Sequence, residues 1–170
     1  MSRRNTPESG ALFSRCGRYR YRLWRRWSAG DTLLFIMLNP STADADHDDA
    51  TIARCRRRAE RLGFGGLEVV NLFALRSRDP RALYEAHDPV SPHNDRVLRA
   101  RVRDAHRVLC GWGNHGRLGG RGRTVLARIQ RLGVVPHALA LTRFGEPAHP
   151  LYLSLHLEPE PIRGVAPQDR

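Results

Sequence analysis

The chain has 170 residues, 29 of them basic and 17 acidic, for a formal charge of +12. That length holds one full hydrophobic core and not two, and no apolar stretch approaches the roughly 18 residues needed to cross a membrane. Three well-separated cysteines, Cys16, Cys55 and Cys110, exclude a local Cys-x-x-Cys metal site and a disulfide framework.

Every basic residue is arginine. A planar fork of donors suits phosphate, so the surplus points to a polyanionic partner, DNA or another nucleic acid first. Arginine standing in for lysine on an ordinary solvated surface explains the missing lysine but not the net excess. No membrane and no obligate protein partner are expected. No apolar segment follows Arg3 and Arg4, which predicts a cytoplasmic protein.

Residues 1–14 read as a flexible N-terminus, 15–157 as a single α/β domain and 158–170 as a flexible, proline-rich tail. Between 16 and 27 arginine alternates with tyrosine, leucine and tryptophan, the period of a strand with one charged and one apolar face. The same interleaving could stack on single-stranded nucleic acid, but aromatic residues on one strand face more often pack on a core. Ser28, Ala29, Gly30 and Asp31 turn the chain into the next strand, which predicts a hairpin or edge strand. The run Leu33-Leu34-Phe35-Ile36-Met37-Leu38 then stops at Asn39-Pro40-Ser41-Thr42, as expected of a strand buried on both faces that opens into a polar loop.

An acidic cluster follows at Asp44, Asp46, Asp48 and Asp49. Asp48 or Asp49 is placed to cap a helix over 51–62, which Gly63 closes. The rest of the chain predicts a buried strand over 67–74, a loop over 76–92 with a helical turn at 81–85, and a helix from Ser91-Pro92 to about 105. A strand over 107–112, a helix over 123–132 and a strand over 137–141 come next. Such alternation implies a three-layer α/β/α domain with a central, mainly parallel four-stranded sheet plus an N-terminal edge strand or hairpin. Each strand delivers polar residues to one edge, where open α/β sheets bind ligands: Asn39, Ser41 and Thr42, then Asn71, then Asn114 with His115, then His149.

No G-x-G-x-x-G, G-x-x-x-x-G-K or G-x-S-x-G occurs, so dinucleotide and triphosphate cradles and a hydrolase elbow lack support. Ser41 with His115 or His149 as base is a weak case for nucleophilic catalysis. Asparagine is more informative, because one side chain offers a donor and an acceptor together and can pair bidentately with a base edge. Its ordinary use just outside a sheet is to tie down a neighbouring loop. Asp46, Asp48 and Asp49 beside His47 could hold a divalent cation, but adjacent carboxylates before a helix are more often caps, and neither metal nor cofactor is expected.

The stretch Met37-Leu38-Asn39-Pro40-Ser41-Thr42-Ala43-Asp44, with Asp48-Asp49-Ala50-Thr51-Ile52, Val69-Val70-Asn71-Leu72-Phe73-Ala74 and His149-Pro150-Leu151-Tyr152, resembles an uncharacterised bacterial family of unknown function. More remotely, the order of motifs resembles the uracil-DNA glycosylase superfamily. Asn39-Pro40 is similar to its first motif, Asn71 to its base-reading asparagine, Leu109-Cys110-Gly111-Trp112-Gly113 to its strand ending in Trp-Gly, and His149-Pro150 to its closing His-Pro-Ser. Met37-Leu38 replaces the usual glycine, and Leu151 the usual serine.

The resemblance implies a uracil-DNA glycosylase-like fold and a metal-independent DNA glycosylase, hydrolysing the bond to a damaged or modified base in DNA repair. Asn39 would orient water, Asp44 would assist as base and His149 would donate to the departing base. Pro40, Ser41, Thr42, Asn71, Phe73, Trp112, Asn114 and His115 would bind the substrate, with Phe73 or Trp112 stacking on the flipped base. Leu151 or Tyr152 would wedge the duplex. The rival expectations are a non-catalytic nucleic-acid-binding module, a metal-dependent phosphohydrolase or nuclease built on Asp46, Asp48 and Asp49, and a hydrolase of free nucleosides or nucleotides.

Overall fold

A computed structural model describes residues 8–164. Within them the chain forms β1 (Glu8–Phe13), β2 (Arg20–Arg26), β3 (Thr32–Met37), α1 (Ala50–Arg61), β4 (Gly66–Asn71), α2 (Arg81–Glu85), α3 (Asn94–Asp104), β5 (Arg107–Cys110), α4 (Arg121–Arg131), β6 (Pro136–Ala138) and β7 (Glu160–Pro161). Two 3₁₀ segments, Asn114–Gly120 and Pro150–Tyr152, follow β5 and β6.

The expected α/β class holds, but the sheet is a mixed one of seven strands rather than four with an N-terminal edge strand or hairpin, ordered β1-β2-β4-β3-β5-β6-β7. β4, β3, β5 and β6 pair in parallel. The antiparallel additions lie at both ends. Residues 8–13, expected to be flexible, form edge strand β1, and Glu160–Pro161, placed in the loose tail, form β7. Backbone pairing needs no apolar pattern, which is why these strands escaped the periodicity argument. Residues 1–7 and 165–170 of the two expected flexible ends lie outside the described residues. β2 does not fold back on β3 either. It makes its hairpin with β1 and lies against β4.

β3 is buried on both faces because alternate residues enter two cores. Leu33, Phe35 and Met37 pack with Leu67 and Val69 of β4 and with Ile52, Cys55 and Ala59 of α1. Leu34 and Ile36 pack with Val70, with Leu98 and Val102 of α3, and with Val125 and Ile129 of α4. The first crossover therefore runs from β3 to β4 over one face, and the second returns past β3 to β5 over the other. That reversal leaves a crevice at the carboxyl ends of β3 and β5.

A bulge breaks the strict alternation expected of β2. Leu12 pairs with Arg22 and Phe13 with Arg20, so Tyr21 is the extra residue. Tyr21 and Arg22 consequently share the α3 face, where the Tyr21 hydroxyl meets Ser91 at 2.8 Å and Arg22 pairs with Glu68 at 2.8 Å. Arg20 is turned to the α1 face with Leu23 and Arg25. There its Nη1 donates to the Ala43 carbonyl at 3.0 Å. The charged face of β2 is thus partly interior: Arg20 and Arg25 are both buried.

Asp49 caps α1, accepting from the Ile52 N–H at 2.9 Å as expected. Ser91 does not cap α3. It has φ 72°, and its carbonyl accepts from the Asn94 N–H. No helix among the described residues is long and apolar enough to cross a membrane.

Beyond β5, Trp112 is 1% exposed and lies against Gly116, where an added Cβ would come to 2.0 Å from its Cδ1. Gly116→Ala is expected to destabilise the fold by roughly 1–3 kcal/mol through overpacking, at about 2–4 °C of Tm for each kcal/mol in a domain this size. Thermal unfolding measures the loss, and an unchanged Tm would contradict this packing.

Candidate functional site

The crevice is a cleft of about 390 Å³, within the size range of small-ligand sites. Its floor comes from strand ends. β4 finishes at Asn71, which is 1% exposed. From the α3 face, the Asn94 side chain donates to the carbonyls of Asn71 and Leu72 at 2.9 and 3.1 Å, and Arg121 Nε reaches the Leu72 carbonyl at 2.9 Å. The backbone here is fully tied. The Asn71 amide itself lines the cleft, with neither its nitrogen nor its oxygen partnered.

Asn39, just beyond β3, spends its nitrogen on loop backbone, donating to the carbonyls of Pro40, Leu75 and Ser77 at 3.0–3.3 Å. This is the loop-tying role of asparagine, and it leaves Oδ1 as the acceptor Asn39 can offer in the cleft.

His149 lies opposite, brought in by close packing of loop on strand. An added Cβ on Gly111 would meet Pro150 Cδ at 2.8 Å, and the Gly113 N–H donates to the Pro147 carbonyl at 2.8 Å. The chain beyond is held by α1: Arg54 donates to the Leu153 carbonyl at 2.7 Å, and buried Arg58 donates to the carbonyls of Pro150, Leu153 and Ser154. His149 Nδ1 accepts from the Leu151 N–H at 3.3 Å. That bond fixes the neutral tautomer with its proton on Nε2, a donor for a ligand. Burial pushes the imidazole below its ordinary pKa, with Asp49 opposing.

Asp49 and Arg20 also line the cleft, though neither is among the residues expected there. Asp49, which caps α1, also supplies the cleft carboxylate, with Oδ1 on the Ile52 N–H and Oδ2 on the Ala43 N–H at 3.3 Å. Arg20, expected on the charged face of its strand, is 2% exposed. Burial pulls its pKa down to about 10, only partly countered by Asp49. The dense arginine of β2 was the available signal; which of its residues turn inward depended on the bulge.

Of the other expected site residues, Ser41, Trp112, Asn114, His115, Leu151 and Tyr152 also reach the cleft. Trp112 is a wall rather than a free stacking face, since its Nε1 donates to Glu146 at 2.7 Å and its ring is buried. Asn114 accepts from the Thr142 hydroxyl at 2.6 Å, His115 Nδ1 meets the Tyr84 hydroxyl at 3.0 Å, and Tyr152 stands 88% exposed at the mouth.

Pro40, Thr42, Asp44 and Phe73 do not line it. Phe73 is 3% exposed in the core on the α3 face, so it has no surface to offer a base there. Asp44 holds its own turn, accepting from the N–H groups of Asp46 and His47, and those bonds keep its carboxyl below the ordinary range. Asp48 pairs with Arg25 at 2.9 Å. Among the described residues no group of three His, Cys, Asp or Glu side chains is placed to hold a metal ion.

The family model described as protein of unknown function (DUF1643) matches residues 20–151, and the chain belongs to that family. The matched span begins at Arg20, takes in His149 and ends at Leu151, so it excludes β1 and β7. No curated protein and no solved structure matches the chain.

Because the folded state holds His149 below its unfolded pKa, it binds fewer protons than the unfolded chain just below the ordinary value of about 6.5. Stability contributed by neutral His149 is therefore present above that value and lost as pH falls through the window beneath it. Urea unfolding at pH 7.5 and 5.5 should show the wild type losing more stability than His149→Gln, by at most about 1.4 kcal/mol per pH unit. Equal losses would contradict a partly buried, neutral His149.

Proposed function

We propose that the cleft receives a nucleobase extruded from DNA and that the protein hydrolyses its N-glycosidic bond, on a uracil-DNA glycosylase-like arrangement of the sheet. The observation that carries this reading is the Asn71 amide: buried, unpartnered at both ends and facing a cleft that also holds Asn39 and His149. A buried donor or acceptor left unmade costs roughly 1–3 kcal/mol. A base edge with one acceptor and one donor satisfies both at once.

The chemistry assigns the remaining groups. Asn39 Oδ1 accepts from the attacking water, and Asp49, which lines the cleft where Asp44 does not, takes its proton. The water oxygen bonds to C1′ while the C1′–N bond breaks, its electron pair leaving on the base. The abasic sugar gains a hydroxyl, the released base is protonated from solvent, and Asp49 returns the water's proton to solvent. His149 Nε2–H donates to the base as that charge grows, an interaction worth a few kcal/mol when preorganised.

Phosphate contacts would fall to exposed Arg78 at the rim and to Arg117 and Arg143, whose guanidinium groups lie 4.5 and 5.2 Å from the Phe144 ring centre. Tyr152 at the mouth is placed to fill the gap left by the base.

A second reading, base binding without catalysis, is favoured by one observation: the nitrogen of Asn39 and both oxygens of Asp49 already serve backbone. Oligonucleotides carrying a panel of damaged bases separate the two. The wild type should leave abasic sites on its substrate, and His149→Ala should lower single-turnover release by about 10²–10³ while DNA binding persists. Asn71→Ala should weaken capture of the base and leave salt-dependent backbone binding intact. Tight, salt-sensitive binding with no abasic product from any base would favour the binding module; activity unaffected by either substitution would refute the roles assigned.

A further inference from the structure

Four arginines are buried among the described residues, and three have evident partners. Arg25 and Arg121 face Asp48 and Asp95 at 2.9 and 2.6 Å, and Arg58 spreads its donors over three loop carbonyls. Arg20 differs. It makes one hydrogen bond, to the Ala43 carbonyl, and no carboxylate among the described residues lies at ion-pair distance; its buried Nε, like that of Arg58, has no partner. Asp49 is near enough to be felt, but its oxygens accept from Ile52 and Ala43. A guanidinium stripped of water with so few partners is costly unless an anion completes it.

Arg20 lines the cleft, on the strand beside the one that ends at Asn71, and both side chains project to the α1 face. A ligand that satisfies the amide therefore also meets the cation. We infer that Arg20 makes the inner end of the cleft an anion subsite, so that the site prefers an amide-edged heterocycle carrying negative charge on its ring. This rests on the base-binding reading and adds the charge state of the bound group. The departing base is such a species, since it takes the electron pair of the C1′–N bond. A cation in contact with it stabilises the transition state more than the neutral substrate. A backbone phosphate is the other source of negative charge, but exposed Arg78 at the rim is better placed for it than a residue on the floor.

Two matched pairs of free heterocycles test this by calorimetry at neutral pH: barbiturate against uracil, and urate against hypoxanthine. The first of each pair is a ring anion there, and the second is neutral. The wild type should bind the anion of the pair that fits about tenfold tighter or more, as expected for a charge-assisted contact. Arg20→Gln should erase that preference, Arg20→Lys should keep part of it, and Asn71→Ala should weaken both members alike. Equal affinity within the pair, or a preference that survives Arg20→Gln, overturns the inference while leaving base binding intact.

If no heterocycle binds, inorganic phosphate decides. Phosphate binding lost in Arg20→Gln supports an anion subsite and removes the base reading; no binding by either class overturns both. Should Arg20→Gln fail to fold by circular dichroism, the wild-type ratio decides alone.

Discussion

The cleft depends on guanidinium groups that gather loop carbonyls from beneath. The walls at the carboxyl edge of the sheet are loops, and buried loop backbone must find partners other than a ladder. Arg20 and Arg25 on β2 hold the carbonyls of Ala43, Asp44 and His47. Arg54 and Arg58 on α1 hold the chain after His149, and Arg121 on α4 holds the end of β4. One guanidinium carries five donors in a plane and can serve two or three carbonyls at once, whereas an ammonium concentrates its donors at one point. A chain without lysine is in this respect equipped to build stiff walls from irregular backbone.

These ties also organise the electrostatics. Asp49 caps α1, and through the Ala43 peptide it is joined to Arg20, which donates to the carbonyl of the residue whose N–H Asp49 accepts. The same carboxylate favours the charged forms of both Arg20 and His149, against the burial that disfavours them. The helix start thus sets the balance of charge along one side of the cleft. A residue whose local role is ordinary becomes the common counter-charge of two others far away in the chain.

Much of this was legible in the sequence, and the limits have physical causes. The apolar run of β3, the cap at Asp49, the helical turn of α2 and the meeting of Asn39, Asn71, Asn114, His115 and His149 at one edge all follow from periodicity and strand polarity. Phe73, which the resemblance offers as a stacking surface, lies in the core on the α3 face, because β4 ends at Asn71 and period two does not continue into the loop. Asp44 was preferred to Asp49 because it is nearer Asn39 along the chain, whereas the Asp44 carboxylate turns back on its own loop. The arginine surplus was read as surface charge. Which arginines are interior is decided by tertiary neighbours that local composition does not encode.

The bulge at Tyr21 has a consequence for how the cleft could be altered. Residues that follow one another in β2 sit on opposite sides of the sheet, except where the inserted residue puts Tyr21 and Arg22 on the same side. Closing the insertion by deleting one residue, with pairing to β4 kept, would carry every residue upstream of it to the opposite layer. Arg20 would leave the cleft. The strand's length, counted in single residues, thus decides whether the floor carries a cation, so an insertion or deletion here changes the chemistry more sharply than most substitutions within the cleft itself.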